Sequence, residues 1–393
     1  MKTLPSLAIA FLLFFNCSKD VDVQTEEIEP LTDVLTLELT FGDEKTITKD
    51  EYLLAIPTDI AVNDEGDIYV NDEKRIKIFD KNGIEKAIFG GPGEGPGEFG
   101  RPNLVMVMYL GPTNYLTVRH SRFYNVFKPD YSHSHMTNFE FSNTRQAIIN
   151  EHDLTRMNQW KIISINENER VFHGVGSTDS EKGYFILVHE QDEIVTTLAK
   201  YERNNLPIVM GELFWEILPG NKLIYTYSST DKITDDMNNS FYVLHISNCD
   251  GSFKREIRQK YRPVAVPDAV IKNYDDQFNK DISNMRVPQE MLAEYKRSHK
   301  ETMKRLKSER SYPPLKDLLV DMKYIFAFTR LTNAQGEIFT DVIDADSGER
   351  INSVYFPFIP SVIKNSCAYR RTKNDEGFFV IEKYKIHPAV YGK

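Results

Sequence analysis

Residues 56–90 read IPTDIAVNDEGDIYVNDEKRIKIFDKNGIEKAIFG, and their rhythm decides the fold. Ile60 and Val62, then Ile68 and Val70, then Ile76 and Ile78 form pairs that recur every eight residues. Asn63-Asp64-Glu65-Gly66 and Asn71-Asp72-Glu73-Lys74 separate them, and Asp80-Lys81-Asn82-Gly83 leads to a fourth run over 85–89. Apolar side chains at alternate positions, bounded by Asn, Asp and Gly, mark short antiparallel strands joined by tight turns. One small sheet of this kind cannot bury both of its faces. It must stack on further copies.

Weaker copies follow along the chain. One runs from Asn103 through 115–118 and 125–127 to Phe139; the next covers 161–164, 170–173 and 184–188 and ends near Leu198. A fourth holds 214–217, 223–227 and 242–246, and a fifth 318–320, 324–328 and 340–344. The last, over 361–363, 367–370 and 377–384, is one strand short, while Leu35-Thr36-Leu37-Glu38-Leu39 is one strand too many. Letting the N-terminal strand complete the last sheet removes an exposed edge and closes a ring of six.

The chain has 393 residues, with 48 Lys and Arg against 58 Asp and Glu, a net charge of −10. A hydrophobic fraction of 41% with 12% aromatics supports a large core and rules out global disorder. The acidic balance argues against nucleic acid, whose binding proteins present clustered basic surface. Three cysteines are too few for a disulfide framework.

The segments Ile56-Pro57-Thr58-Asp59-Ile60-Ala61-Val62, Gly66-Asp67-Ile68-Tyr69-Val70, Arg75-Ile76-Lys77-Ile78-Phe79-Asp80 and Gly95-Pro96-Gly97-Glu98-Phe99 resemble an NHL-type repeat. The glycine-rich stretch leading to Arg101-Pro102 is similar to that of the six-bladed propeller lipoproteins of Bacteroidetes-like bacteria. The motif covers residues 55–105; elsewhere only the strand rhythm supports it. The resemblance implies an all-β six-bladed β-propeller of four-stranded antiparallel blades, closed by the N-terminal strand.

The start of the chain is expected to be a targeting segment. Lys2 precedes an apolar run from Leu4 to Phe15, then Cys17 and the polar Ser18, Lys19 and Asp20. About 12 apolar residues suit a signal peptide, whereas a spanning helix needs ~20. A cleavable segment ending at cysteine resembles a bacterial lipoprotein signal, although Phe15 and Asn16 stand where small residues are usual. The expected organisation is a signal over 1–17 with Cys17 lipidated, a flexible tether over 18–33 rich in Asp, Glu, Thr and Pro, and the propeller over 34–393. Ser18-Lys19-Asp20 also resembles a tag for the cell surface. The expected location is the outer membrane of the envelope, on either face, held by the lipid alone.

One insertion breaks the β rhythm over 267–310. Val270, Tyr274, Phe278 and Ile282 are four apart, and after Pro288 come Leu292, Tyr295, His299, Met303 and Leu306. These spacings predict a helical hairpin. Seven Lys or Arg against four Glu between Gln289 and Arg310 leave two readings of it, a solvated packing element or a channel cap that docks an acidic partner.

Motifs for chemistry are few. Gly90 to Gly97 ends in Gly-Glu-Phe, not the Gly-Lys-Ser/Thr that a phosphate loop needs, and reads as a blade connector. His133-Ser134-His135, in an apparent loop after Pro129, would need His120 or His152 to complete a metal site. Asp64 to Asp67 and Asp231 to Asp236 lack the spaced Glu of a calcium loop and read as turns. No Gly-x-Ser-x-Gly elbow occurs, and Cys249 and Cys367 are expected to be free thiols.

In propellers, ligands meet the channel mouth, lined by the loops that enter each inner strand. Here those loops hold Asp59, Arg101, Asn103, Trp215 and Lys316. Arg101 and Lys316 could take an anionic group, Asp59 and Asn103 could hydrogen-bond hydroxyls, and Trp215 could stack on a sugar; each could equally make a structural bond across a blade junction. The leading expectation is a monomeric, non-catalytic binding module for a ligand or an envelope protein, without a cofactor. The alternative is a lactonase- or lyase-like propeller enzyme using calcium or zinc on the channel axis, with ligands drawn from several blades.

Overall fold

The computed structural model describes residues 29–100, 106–120, 123–180 and 182–393. These residues build six antiparallel β-sheets that follow one another along the chain. The first strand, β1 (Leu35–Phe41), stands apart from the sequence that follows it. Sheet 1 then holds β2 (Pro57–Val62), β3 (Ile68–Asp72), β4 (Arg75–Phe79) and β5 (Glu85–Gly90). Sheet 2 holds β6 (Met106–Leu110), β7 (Leu116–His120), β8 (Phe123–Phe127) and β9 (His133–Asn138). Sheet 3 holds β10 (Arg156–Ser164), β11 (Glu169–Ser177), β12 (Gly183–Gln191) and β13 (Ile194–Glu202).

Sheet 4 has β14 (Leu213–Leu218), β15 (Lys222–Tyr227), the short β16 (Lys232–Thr234), β17 (Ser240–Asn248) and β18 (Lys254–Tyr261). Its second strand is broken in two: β15 pairs with Tyr-free residues 245–248 of β17, and β16 with residues 240–242. Sheet 5 holds β19 (Leu315–Asp321), β20 (Tyr324–Thr332), β21 (Ile338–Asp344) and β22 (Arg350–Phe356). Sheet 6 has β23 (Val362–Lys364), β24 (Cys367–Lys373) and β25 (Phe379–Ile386), and β1 is its fourth strand, running from Leu35 opposite Ile386 to Phe41 opposite Ile381. The surplus N-terminal strand fills the deficit of the last sheet.

Side chains alternate across a strand, and here both faces of the central strands are covered. In β20, Tyr324, Phe326 and Phe328 pack toward sheet 6, while Ile325 and Ala327 pack toward sheet 4. The same division repeats throughout. Tyr69 and Ile78 join Met106 and Val118 between sheets 1 and 2; Val126 joins Phe172 and Ile186 between 2 and 3; Leu187 joins Leu223 between 3 and 4. Ile224 and Leu244 join Leu318 between sheets 4 and 5, and Phe326 joins Ile363 between 5 and 6. A sixth cluster returns to the start, setting Tyr369 and Ile381 of sheet 6 against Ile60 and Ile68 of sheet 1.

The connections are unequal. Hairpins between first and second strands, and between third and fourth, take two to five residues. Connections that enter the first strand of each sheet lie at the opposite ends of the strands and span 42–56, 91–105, 139–155, 203–212, 262–314 and 357–361. We call the two sides the turn face and the loop face. The glycine connector after β5 is compact: Gly93 and Gly100 bond each other through their backbones, and the Glu98 carboxylate accepts the Gly95 N–H at 2.6 Å. Gly90, at φ +76°, is required there, because a Cβ would lie 2.0 Å from the Phe99 ring.

Three α-helices occur among the described residues, all on the loop face: α1 (Asn143–His152), α2 (Asp268–Asn284) and α3 (Gln289–Ser308). The helix α1 has no counterpart in the sequence reading; Ser142 caps it, its Oγ accepting the Arg145 N–H at 3.1 Å. Helices α2 and α3 lie within the expected insertion. Ile271 and Leu306 pack on Leu206 and Val209 of the connection into β14, and the Phe278 ring stacks on His299 with centroids 3.6 Å apart.

Two expectations need correction. The tether reaches the fold before residue 33: Leu31 donates its N–H to the Ser353 carbonyl at 2.9 Å and packs beside Val354 of β22. His133 and His135 lie not in a loop but in β9. Cys17 and the signal segment fall outside the described residues.

Candidate functional site

Three first strands share an irregularity. In β2 the pairing slips between Pro57 and Asp59, in β10 between Gln159 and Lys161, and in β19 between Leu315 and Asp317. The unpaired residues are Thr58, Trp160 and Lys316, and a charged residue follows each. A bulge of this kind bends a strand and re-aims its side chains. These are sheets 1, 3 and 5, alternate members of the series.

The charged side chains meet a common polar tier. Asp59 accepts from the Asn71 Nδ2 at 3.4 Å, and the same amide donates to the Met106 carbonyl at 3.3 Å, which ties sheet 1 to sheet 2. Burial raises the Asp59 pKa, against the lowering effects of Asn71, the Met108 N–H and Arg371. Arg371 of β24 donates to the Pro57 carbonyl beside the same bulge. Lys161 donates to the Trp215 carbonyl at 2.8 Å and pairs with Glu216 of β14 at 2.6 Å. Burial pushes Asp317 up to about 6, with Lys161 opposing the shift and Glu216 and Glu212 adding to it.

Tyr109 of β6 joins these groups. Its pKa is pushed up to about 12, chiefly by burial, with Arg119 lowering it and Asp59 and Glu216 raising it. Its hydroxyl donates to the Trp160 carbonyl at 3.4 Å. Five sheets therefore contribute to one tier: Asp59, Tyr109, Lys161, Glu216 and Asp317. These positions lie near the middle of the first strands.

The residues expected from sequence divide accordingly. Asp59 belongs to the tier, and Lys316 is the bulged residue beside Asp317, its pKa lowered by burial and by Arg330. Trp215 is different: only 1% of it is exposed. Its Nε1 donates to the His173 Nδ1 at 2.7 Å, and the Lys161 ammonium sits 4.6 Å from its ring centroid. That bond fixes the His173 proton on Nε2, and burial with the nearby Lys161 and Arg119 lowers its pKa to about 3. Trp215 therefore packs the junction of sheets 3 and 4 and presents no face to a sugar. Arg101 and Asn103 lie outside the described residues.

The sequence reading passed over Trp160, which is 58% exposed, together with Lys161, Tyr109, Glu216 and Asp317. A signal was present. Thr58-Asp59-Ile60, Trp160-Lys161-Ile162 and Lys316-Asp317-Leu318 each set a charge directly before an apolar strand segment.

Among the described residues no group of three or more His, Cys, Asp and Glu side chains is placed to hold a metal ion. Within the tier the Lys161 ammonium already engages one oxygen of the Glu216 carboxylate, at 2.6 Å. His133 bonds Asn125 at 2.9 Å, as does His120 at 3.2 Å, while His135 faces Ser134 and His152 faces Thr197. Burial lowers the pKa of all four imidazoles. The acidic runs are turns: Asn63 accepts the Asp67 N–H at 2.7 Å, and Asp235 accepts the Asn239 N–H at 2.7 Å. Cys249 and Cys367 are buried free thiols, with Cys249 raised by burial to about 12. A cavity of about 440 Å³ opens on the loop face between sheets 6 and 1, beside Leu53, Lys373 and Phe379.

No family model matches the chain, and no curated protein matches it. Solved structures are similar at low identity. A Bacteroides fragilis protein described as exported aligns over 92% of this chain and 97% of its own, at 10% identity and a TM-score of 0.41. The WD40 domain of SCAP from fission yeast aligns over 81% of this chain and 56% of its own, at 10% identity and a TM-score of 0.33. A subtype N10 neuraminidase-like protein of the strain A/little yellow-shouldered bat/Guatemala aligns over 90% of this chain and 99% of its own, at 8% identity and a TM-score of 0.34. Likeness at this level says nothing of activity or ligand.

Proposed function

We propose that the six sheets are the blades of one closed β-propeller, anchored in a bacterial envelope by a lipid on Cys17. Its loop face then acts as a non-catalytic binding module for a ligand or an envelope protein. Closure is supported by the cyclic succession of core clusters, in which sheet 6 packs on sheet 1, and by the pairing of β1 with β25. A ring of this kind leaves no first strand as an open edge.

The observation that carries the binding reading is the tier at the three bulges. Alternate sheets break register one residue before a charge, and those charges converge with Tyr109 and Glu216 in the interior of the ring. Long connections on one side of a rigid scaffold are where recognition residues concentrate. In a closed ring the first strands would line the channel, so a tier near their middle would lie in the path of a ligand entering from the loop face.

Two measurements test this. A photo-crosslinking residue at Thr58, on the first strand of sheet 1, should capture a partner or ligand in intact cells, and one at Asn221, in a turn-face hairpin, should not. Equal capture from both positions would remove the distinction. Cys17→Ser should abolish acyl labelling and release the protein from the membrane, since each buried CH₂ of an acyl chain contributes ~0.8 kcal/mol. Unchanged membrane partition would end the lipid reading.

A further inference from the structure

The chain has two tryptophans, and the fold treats them oppositely. Trp215 is sealed into a junction, whereas Trp160 stands 58% exposed on a first strand. Trp160 is the residue that the β10 bulge leaves unpaired, and the register shift sets it immediately before Lys161 of the tier. An exposed indole offers a broad apolar surface with one polar edge. Its backbone is held: Tyr109 bonds its carbonyl, and Lys161 is fixed by Glu216 and the Trp215 carbonyl. The aromatic platform is thus based on a held strand; the Glu216 carboxylate stands on the adjacent first strand, and Asp59 and Asp317 stand on the first strands of sheets 1 and 5, one sheet further on either side.

We propose that the tier binds a neutral saccharide, with the apolar face of one sugar ring on Trp160 and its hydroxyls donating to the carboxylates of Asp59 and Asp317. The assignment deepens the binding reading above and rests on it. A sugar ring matches the chemistry of this site, being flat and carbon-lined on one side and rimmed with hydroxyls. A neutral sugar suits the site because its charges are already matched: the Lys161 ammonium engages Glu216, and the Arg371 guanidinium stands beside Asp59. The same chemistry could come from a free oligosaccharide or from the glycan of an envelope macromolecule.

Fluorescence can test this, because one tryptophan reaches solvent and the other does not. Acrylamide quenching is read on the purified protein with cello-, malto-, manno- and chito-hexaose, with oligogalacturonate as the acidic comparison and a neutral capsular polysaccharide as the macromolecular arm. At least one neutral probe should shield Trp160 saturably, and Trp160→Phe should leave a quenching-resistant signal from Trp215. Trp160→Ala should abolish binding at an unchanged melting temperature, and Asp59→Asn should weaken it about tenfold, the loss of one charged hydrogen bond. Shielding by the hexaoses assigns a free sugar, and shielding by the polysaccharide alone a macromolecular glycan. Failure of every neutral probe, equal binding of the galacturonate, or unaltered binding by Trp160→Ala would overturn the proposal. Capture from Thr58 alongside failure of all neutral sugars would leave the binding module standing and remove only the saccharide.

Discussion

The turn face and the loop face are built from the same six sheets and differ in what their connections do. On the turn face the chain reverses within two to five residues, using Asn, Asp and Gly to satisfy its own backbone. On the loop face it carries three helices, the glycine connector and a cavity of about 440 Å³. Hairpins that short leave little surface for a ligand to contact. The contrast teaches that the sheets supply rigidity equally to both sides, and that the loop side alone has been elaborated beyond what folding needs.

The largest expected effect breaks the scaffold that both faces share. A chain beginning at residue 29 should melt like the full protein, whereas one beginning at residue 42 lacks β1. It loses Phe41, whose ring lies 4.8 Å from that of Phe79, and it exposes the edge of β25. Removing one buried Phe costs about 3–5 kcal/mol, so the shorter chain should lose most of its stability in thermal melts. Equal melting temperatures would show that sheet 6 does not depend on its borrowed strand.

The next effect sharpens the contrast. Replacing 267–310 with a short Gly/Ser linker should leave a folded β protein, because the ends of the insertion already meet. Val266 donates to the Arg310 carbonyl at 2.7 Å and Tyr312 to the Val264 carbonyl at 3.0 Å. The loss of Ile271 and Leu306 from their cluster should cost a few kcal/mol, at roughly 1.5–3 kcal/mol for each buried aliphatic side chain. A chemical denaturation curve without a cooperative transition would place part of the core in the insertion.

Much of this was legible in the sequence where local chemistry and fold agree. Sheet 1 could be read strand by strand because Gly66 and Gly83 take positive φ at the turns that bound it. The role of β1 followed from a missing strand and a spare one. The site was less legible, because a bulge adds one residue to one strand and so changes which side chain faces where. Trp160 and Trp215 each precede a charged residue on the first strand of a sheet. The register slips at Trp160 in β10 and runs on unbroken through Trp215 in β14, and the first indole is exposed while the second is buried. Helix α1 escaped for a different reason: its buried residues are only Thr144 and Ile148, too few to write a helical stripe.

A smaller effect concerns the tier itself and depends on pH. Asp317 has a folded pKa of about 6, above its ordinary value of 3.8, so the folded state holds a proton there that the unfolded state releases between those limits. Its ionisation therefore costs stability above pH 6, and that cost disappears as the pH falls toward 4. Asp317→Asn, which carries no charge, should melt higher than the wild type at pH 8 and match it near pH 4. An aspartate stabilised by an ion pair would give the reverse, and a pH-independent difference would remove the desolvated carboxyl from the account.

The smallest effect compares one type of ion pair on the two faces. Lys222 and Asp346, at the turn face, approach to 3.5 Å with side chains 41% and 61% exposed. Lys161 and Glu216, in the tier, approach to 2.6 Å with side chains 20% and 25% exposed. Water and salt screen the first pair, so Lys222→Ala should change stability by less than about 1 kcal/mol and by nothing measurable in 1 M salt. Lys161→Ala strands a half-buried carboxylate and the Trp215 carbonyl, and should cost about 1–3 kcal/mol. Salt should recover little of that loss, because the stranded groups lie between packed sheets. If the two alanine variants lose the same stability and respond alike to salt, the tier is no better shielded than the turn face, and the difference between the faces reduces to loop length alone.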